Sequence, residues 1–101
     1  MENLPNLLIV DDYEVNLVFL ENILKKFNLN LIKAFSGAEA LEKTRGIEIA
    51  LAIVDVIMPE MNGYELAVKM NERTNGKVPI IFLTANNRND IEIFKGYSSG
   101  A

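Results

Sequence analysis

The sequence predicts one α/β domain, in which helices cover both faces of a parallel β-sheet. Short apolar runs alternate along the chain with amphipathic stretches, and this alternation is typical of repeated strand–helix units. Residues 49–54 are apolar throughout, as expected of a strand that is buried on both faces at the centre of a sheet. A chain of 101 residues is long enough for one hydrophobic core and too short for two. We therefore expect residues 1–101 to form a single domain.

Two apolar patterns predict the first strand and the first helix. The run Leu-Leu-Ile-Val at residues 7–10 predicts the strand, and residues 15–27 predict the helix. The apolar residues that recur at every fourth position of this helix are Val15, Phe19, Ile23 and Phe27, with Leu20 and Leu24 beside them. Because such a spacing places apolar side chains on one side of a helix, we expect this face to be buried.

A capping box predicts the start of the second helix. Residues 30–35 form a short second strand, and Ser36 and Glu39 follow it at the spacing in which serine and glutamate side chains bind free amides at a helix start. We therefore expect the second helix to run from about Gly37 to about Arg45.

The second half of the chain repeats the alternation. Residues 49–54 form the third strand, Asn62 and Gly63 supply a turn, and the inner face of a third helix then consists of Leu66, Ala67 and Met70. Pro79 stands at the start of a fourth strand, where its missing amide does little harm. That strand, residues 80–83, ends at Thr84 and Ala85, and we expect Ile91 and Phe94 to anchor a fourth helix.

Three carboxylates follow two of these strands. Asp11 and Asp12 follow the first strand, and Asp55 follows the third. Because right-handed crossovers bring the carboxyl ends of parallel strands to one edge of a sheet, we expect these residues and Thr84 to converge there. Carboxylates together with a hydroxyl suit a divalent cation and a phosphoryl group. The sequence therefore predicts an acidic, phosphate-handling pocket.

Composition excludes several other functions. The chain contains no cysteine and no histidine, so thiolate metal sites, disulfides and nucleophile pairs that need histidine are excluded. The formal net charge is −4 and the basic residues are scattered, which argues against a nucleic acid as a direct partner. The apolar runs are too short to span a membrane, and we expect no membrane partner and a cytoplasmic location.

These motifs resemble the receiver domain of bacterial two-component response regulators. The resemblance rests on Leu-Ile-Val-Asp11-Asp12, on Val-Asp55-Val-Ile-Met-Pro-Glu-Met-Asn-Gly63 and on Phe-Leu-Thr84-Ala85, which occur in the family's order. It implies the flavodoxin-like, doubly wound sheet with strand order 2-1-3-4-5, for which a receiver protein is itself a standard example.

The resemblance also implies roles for individual residues. Asp55 accepts a phosphoryl group from a phosphohistidine of a sensor histidine kinase or a phosphotransfer protein, and a changed surface then acts on an output domain or partner. Mg²⁺ is bound by Asp12, by Asp11 through water, by Asp55 and by the backbone carbonyl of Ile57. Thr84 contacts the phosphoryl group and switches conformation. The residues that line the phosphoryl pocket are Ile57, Ala85 and Asn86.

The sequence departs from the family pattern at its end. The family continues into a fifth strand with an aromatic switch residue, a Lys-Pro pair and a fifth helix, and none of these is present up to Ala101. We therefore expect a receiver domain that is incomplete at its C-terminus. The fourth strand is then an apolar edge through which two copies pair as a homodimer.

Two other functions share features with this sequence. Phosphatases of the haloacid dehalogenase type also use an aspartate nucleophile, but they need a second aspartate two positions later, where this chain has Tyr13 and Ile57. The remaining alternative is a receiver-like interaction or dimerisation module that no longer cycles phosphate. The favoured interpretation is a signalling phosphoacceptor that catalyses only its own phosphorylation and dephosphorylation and is not a metabolic enzyme.

Overall fold

A computed structural model of the chain describes residues 4–74, 78–87 and 90–95, with side chains for residues 4–74 and 78–83. Its elements are β1 (Asn6–Val10), α1 (Glu14–Leu24), β2 (Asn30–Ala34), α2 (Gly37–Lys43), β3 (Leu51–Asp55), α3 (Gly63–Thr74), β4 (Ile80–Asn87) and β5 (Asp90–Lys95). Within the described ranges, none of the helices combines the length and the apolar character that crossing a membrane requires.

The strands form one sheet in the order β2-β1-β3-β4-β5. The first four are parallel, with Val10 of β1 opposite Val54 of β3 and Asp55 of β3 opposite Leu83 of β4. The predicted order 2-1-3-4 is therefore confirmed. Because these strands run the same way, the ends of β1 and β3 lie side by side at one edge, and the residues that follow them are neighbours.

Helices pack on both faces of the sheet, as the doubly wound arrangement requires. On one face, Leu8 and Val10 of β1 pack with Leu66 and Met70 of α3 in the larger core cluster, which also includes Ala40 of α2. On the other face, Leu7 and Ile9 pack with Leu17 of α1. Alternate residues of β1 thus enter opposite cores, which explains why the strand is apolar along its whole length.

The predicted buried face of α1 is wrong. The side chains of Val15, Phe19, Ile23 and Phe27 are 59%, 59%, 45% and 53% exposed, and the buried residue of the helix is Leu17. Two partly buried residues, Leu20 and Leu24, pack beside Leu17. A helix has 3.6 residues per turn, so a strict four-residue repeat drifts around the axis, whereas positions 17, 20 and 24 stay on one side.

The predicted fourth helix is also wrong. Residues 90–95 form the strand β5, which pairs antiparallel with β4 and places Phe94 opposite Phe82 and Ile93 opposite Leu83. The sequence Ile-Glu-Ile alternates apolar and acidic residues with the period of a strand, and this pattern outweighs the three-residue spacing of Ile91 and Phe94 on which the helix was based. The strand β4 continues to Asn87 and does not end at Thr84, and β5 covers the edge that we expected to be open.

Reciprocal side-chain caps fix the starts of α2 and α3. Ser36 Oγ accepts a hydrogen bond from the Glu39 amide at 3.1 Å, and Glu39 Oε1 accepts one from the Phe35 amide at 2.6 Å, which confirms the predicted capping box. A second box, which we did not predict, precedes α3. Its two bonds, both 2.9 Å, run from the Glu65 amide to Asn62 Oδ1 and from the Asn62 amide to Glu65 Oε1.

Candidate functional site

Three carboxylates meet where β1 and β3 end. Each of Asp11, Asp12 and Asp55 offers an oxygen atom, and these atoms lie within 4.8 Å of one another. Asp11 is only 2% exposed, whereas Asp55 is partly buried and Asp12 is exposed. The predicted convergence of the three aspartates is therefore present in the structure.

The carboxylate of Asp11 is held by the start of α1. The backbone amide of Tyr13 donates to Asp11 Oδ1 at 3.0 Å, and the side-chain amide of Asn16 donates to Asp11 Oδ2 at 3.0 Å. The backbone amide of Asp11 itself donates to the carbonyl of Ala34 at 3.1 Å, which ties the end of β1 to the end of β2. Both the backbone and the side chain of Asp11 are thus fixed.

The loop after β3 holds Asp55. The amide of Ile57 donates to Asp55 Oδ1 at 3.2 Å, and the amide of Val56 donates to the Leu83 carbonyl at 3.0 Å. Gly63, the first residue of α3, donates to the Val56 carbonyl at 2.9 Å. A Cβ atom at Gly63 would overlap the backbone carbonyl oxygen of Asp55, so only glycine allows α3 to begin this close to the site.

Burial and mutual repulsion change the acidity of this cluster. Burial, followed by the negative charge of Asp11, raises the pKa of Asp55 to about 7, against the smaller lowering effect of the Ile57 amide. Burial also raises the pKa of Asp11, and the hydrogen bonds from Tyr13 and Asn16 lower it. Without a cation, the cluster therefore holds fewer than three full negative charges at neutral pH.

The donor set fits a hard divalent cation. Carboxylate oxygens are the ligands that Mg²⁺ and Ca²⁺ prefer. A bound cation relieves the repulsion that adds to the effect of burial in raising the pKa of Asp55. The residues that could hold such an ion are Asp11, Asp12 and Asp55. Ile57 lies two residues beyond Asp55 with its side chain 68% exposed, and the metal contact of its carbonyl stays a prediction.

The remaining predicted site residues lie on β4. The backbone places Thr84 next to Leu83, the partner of Asp55, and it pairs Thr84 with Glu92 and Ala85 with Ile91 of β5. Asn86 also belongs to β4. The side chains of these three residues lie outside the described part of the structure, so their contacts with the pocket stay predictions.

Sequence reasoning missed two residues that organise the site. Asn16 binds Asp11 from five positions away, and Gly63 admits α3 to the Asp55 loop. The first could have been found, because a residue one turn into a helix can reach back to an acidic residue just before the helix. The role of Gly63 could not have been found in the sequence, because it depends on how closely α3 and the end of β3 approach in space.

Comparisons with known proteins agree with this geometry. A family model described as the response regulator receiver domain matches residues 7–101. The sensor protein EvgS of Escherichia coli strain K12 is 38% identical over 95 residues, which are 94% of this chain and 8% of EvgS. The transcriptional regulatory protein AfsQ1 of Streptomyces coelicolor is 33% identical over 98 residues, which are 97% of this chain and 42% of AfsQ1.

A solved structure has the same fold. The crystal structure of response regulator protein TrrA from Thermotoga maritima in complex with Mg²⁺-BeF is similar, with a TM-score of 0.73 and 31% sequence identity. The similarity covers 85% of this chain and 76% of the TrrA chain. The chain spans less than a tenth of EvgS and less than half of AfsQ1. The motifs, the fold and the family match together show that the chain belongs to the response regulator receiver domain family, whose members are phosphoacceptor domains of phosphorelay signalling.

Proposed function

We propose that this receiver domain accepts a phosphoryl group on the carboxylate of Asp55 from a phosphohistidine of a sensor kinase or phosphotransfer protein, in a reaction that depends on Mg²⁺. The observation that carries the proposal is the cluster of Asp11, Asp12 and Asp55 at one sheet edge, with oxygen atoms within 4.8 Å. Asp55 is the last residue of β3, and the next residue, Val56, is held by hydrogen bonds to Leu83 and Gly63.

The transfer itself is a nucleophilic displacement. A carboxylate oxygen of Asp55 forms a bond to phosphorus, the phosphorus–nitrogen bond of the donor breaks, and the electron pair stays on the imidazole nitrogen. The proposed ligands of Mg²⁺ are Asp12, Asp55, the Ile57 carbonyl and, through water, Asp11. When bound, the cation neutralises charge on the transferring group. The crystal structure of TrrA, which has the same fold, is of a complex with Mg²⁺-BeF, and this supports a Mg²⁺ site in the present domain.

The other proposed roles belong to β4 and to the surface around it. Thr84 binds a phosphoryl oxygen after transfer, and Ala85 and Asn86 border the pocket. The rearrangement of Thr84 then favours a different surface, which an output domain or partner recognises. The resulting acyl phosphate is hydrolysed in the same pocket, so phosphorylation and dephosphorylation are the reactions that this domain catalyses.

The experiment is the intact mass of the protein after incubation with a small phosphodonor and Mg²⁺. We expect the gain of one phosphoryl group, its loss in Asp55→Asn, and its loss when EDTA replaces Mg²⁺. Glu60→Gln is the matched control, because it removes an exposed carboxylate from the same loop, and it should be labelled like the wild type. Labelling that persists in Asp55→Asn would show that the acceptor is another residue. A protein that binds Mg²⁺ and is never labelled would support the interaction module instead.

A further inference from the structure

The carboxylate of Asp11 is far more constrained than those of its two neighbours. Its two oxygen atoms accept separate hydrogen bonds, from the Tyr13 backbone amide and from the Asn16 side chain, each at 3.0 Å. Two donors on different oxygens fix both the position of the carboxylate and the rotation of its plane. Asp12, by contrast, is exposed. The cluster therefore contains one rigid carboxylate whose orientation depends on α1.

The donor Asn16 is itself held firmly. Its helix is anchored to the sheet by Leu17, which is 2% exposed and packs against Leu7 and Ile9. On the side of α1 that faces β2, Glu21 binds Lys33 at 3.0 Å. The position of the Asn16 amide relative to the end of β1 is therefore set by the packing of α1, and it does not depend on the cation.

A purely helix-capping role does not account for this bond. The N-cap residue of α1 is Tyr13, whose side chain makes no capping hydrogen bond, and the Tyr13 amide already satisfies Asp11 Oδ1. The Asn16 side chain adds a bond to the second oxygen, which leaves the backbone of the helix unchanged. The Asn16 bond instead orients the buried carboxylate of Asp11, which has an oxygen atom within 4.8 Å of oxygen atoms of Asp12 and Asp55.

We propose that Asn16 is a positioning residue, which orients Asp11 for a small divalent cation and so selects Mg²⁺ over larger ions. The proposal rests on the cation site described under Proposed function. Mg²⁺ requires a nearly ideal octahedron of oxygen atoms, whereas Ca²⁺ accepts variable geometry and longer distances. A carboxylate that loses one of its two fixed donors rotates more freely, and Asp11 would then no longer fix the water through which it is proposed to hold the ion. This loss should weaken the binding of Mg²⁺ more than that of Ca²⁺. Replacing a residue that orients a metal ligand typically lowers the affinity for the metal by about 10–100-fold.

The test is the dissociation constant for Mg²⁺ and for Ca²⁺, measured by isothermal titration calorimetry on the wild type, Asn16→Ala and Asn22→Ala. Asn22 lies exposed on the same helix, so its replacement controls for the loss of an asparagine from α1. We expect Asn16→Ala to weaken Mg²⁺ binding by about tenfold or more and Ca²⁺ binding by less than about threefold. Asn22→Ala should bind both ions as the wild type does. Asn16→Leu, which is closer in size and also lacks the donor, gives the same comparison if the alanine variant does not fold.

The outcomes separate this proposal from the proposed function. Equal Mg²⁺ affinity in the wild type and Asn16→Ala overturns the positioning role, and so does a parallel loss for Mg²⁺ and Ca²⁺, which indicates a change of charge or stability alone. A wild type that binds neither ion shows that the cation site itself is wrong, and the positioning role falls with it. A loss of Mg²⁺ affinity in Asn16→Ala that is larger than its loss of Ca²⁺ affinity supports both the positioning role and the cation site.

Discussion

Replacing Asp55 by asparagine should stabilise the metal-free protein at neutral and alkaline pH. In the folded state, burial and the charge of Asp11 raise the pKa of Asp55 from 3.8 to about 7. Between these two values, the folded state binds a proton that the unfolded state has released, so folding is favoured by acid. The contribution of the protonated Asp55 to the free energy of unfolding is fully present below pH 3.8, falls as the pH rises, and is lost once the pH passes about 7. Asparagine does not ionise and escapes this loss.

The size of the effect follows from the same values. A rise in pKa from 3.8 to about 7 corresponds to about 4 kcal/mol, at 1.36 kcal/mol for each pH unit. Asp55 keeps part of its contact with water, and solvent screening reduces the penalty, so we expect Asp55→Asn to be more stable by about 2 kcal/mol at pH 8. The difference should shrink as the pH falls toward 4.

The assay is urea unfolding followed by circular dichroism, at several pH values and with EDTA present. A change of about 2 kcal/mol moves the midpoint by roughly 1 M urea for a domain of this size. Glu60→Gln controls for the loss of one negative charge at an exposed position of the same loop. Saturating Mg²⁺ should stabilise the wild type more than Asp55→Asn and so narrow the gap. An Asp55→Asn variant that is no more stable than the wild type in EDTA at pH 8 would show that the charge of Asp55 does not destabilise the metal-free fold.

Three further substitutions test the loop after β3. Glu60 has a φ of 71°, which favours glycine, so Glu60→Gly should raise the free energy of unfolding by about 1 kcal/mol in the same urea assay. Ile57→Asn should shorten the lifetime of the acyl phosphate, measured by the decay of the phosphorylated mass, because an amide can orient the attacking water and an isoleucine cannot; an unchanged lifetime would count against a role for this position. Gly63→Ala should lower the rate of phosphorylation more than Gly37→Ala. The Cβ atom added at Gly63 meets the backbone of Asp55, whereas the Cβ atom added at Gly37 meets, at 2.6 Å, a methionine side chain that is flexible enough to move.

The acidic site could be predicted because it follows from topology. Once the strand–helix alternation indicated parallel strands, Asp11, Asp12 and Asp55 were expected at one edge, since the carboxyl ends of parallel strands lie at the same edge of a sheet. The start of the second helix could also be predicted from the sequence, because its capping box is a local pattern that needs no distant partner. Such features are encoded within a few residues or by the order of the strands.

The errors arose where the outcome depends on packing. The stripe from Val15 to Phe27 has nearly the spacing of a buried helix face, yet the sheet accepts Leu17 instead, and the difference amounts to a rotation about the helix axis. Residues 90–95 begin with an alternation of apolar and acidic residues that is typical of a strand, and β4 offers them a pairing edge. The bond from Asn16 and the close approach of Gly63 likewise depend on distances between elements.

The structure suggests that the stability of the metal-free domain and the affinity of its site for a cation oppose each other. Burial and the charge of Asp11 raise the pKa of Asp55, while burial and the charge of Asp12 raise that of Asp11. These raised pKa values are the cost of gathering negative charge in a partly dry pocket before a cation arrives. Asp11 is fixed by two donors from α1, whereas Asp12 remains exposed. A cation can then meet one carboxylate that is fixed by hydrogen bonds and one that faces solvent. A variant that lowers the repulsion should therefore gain stability and lose Mg²⁺ affinity, and finding both gains in one variant would contradict this account.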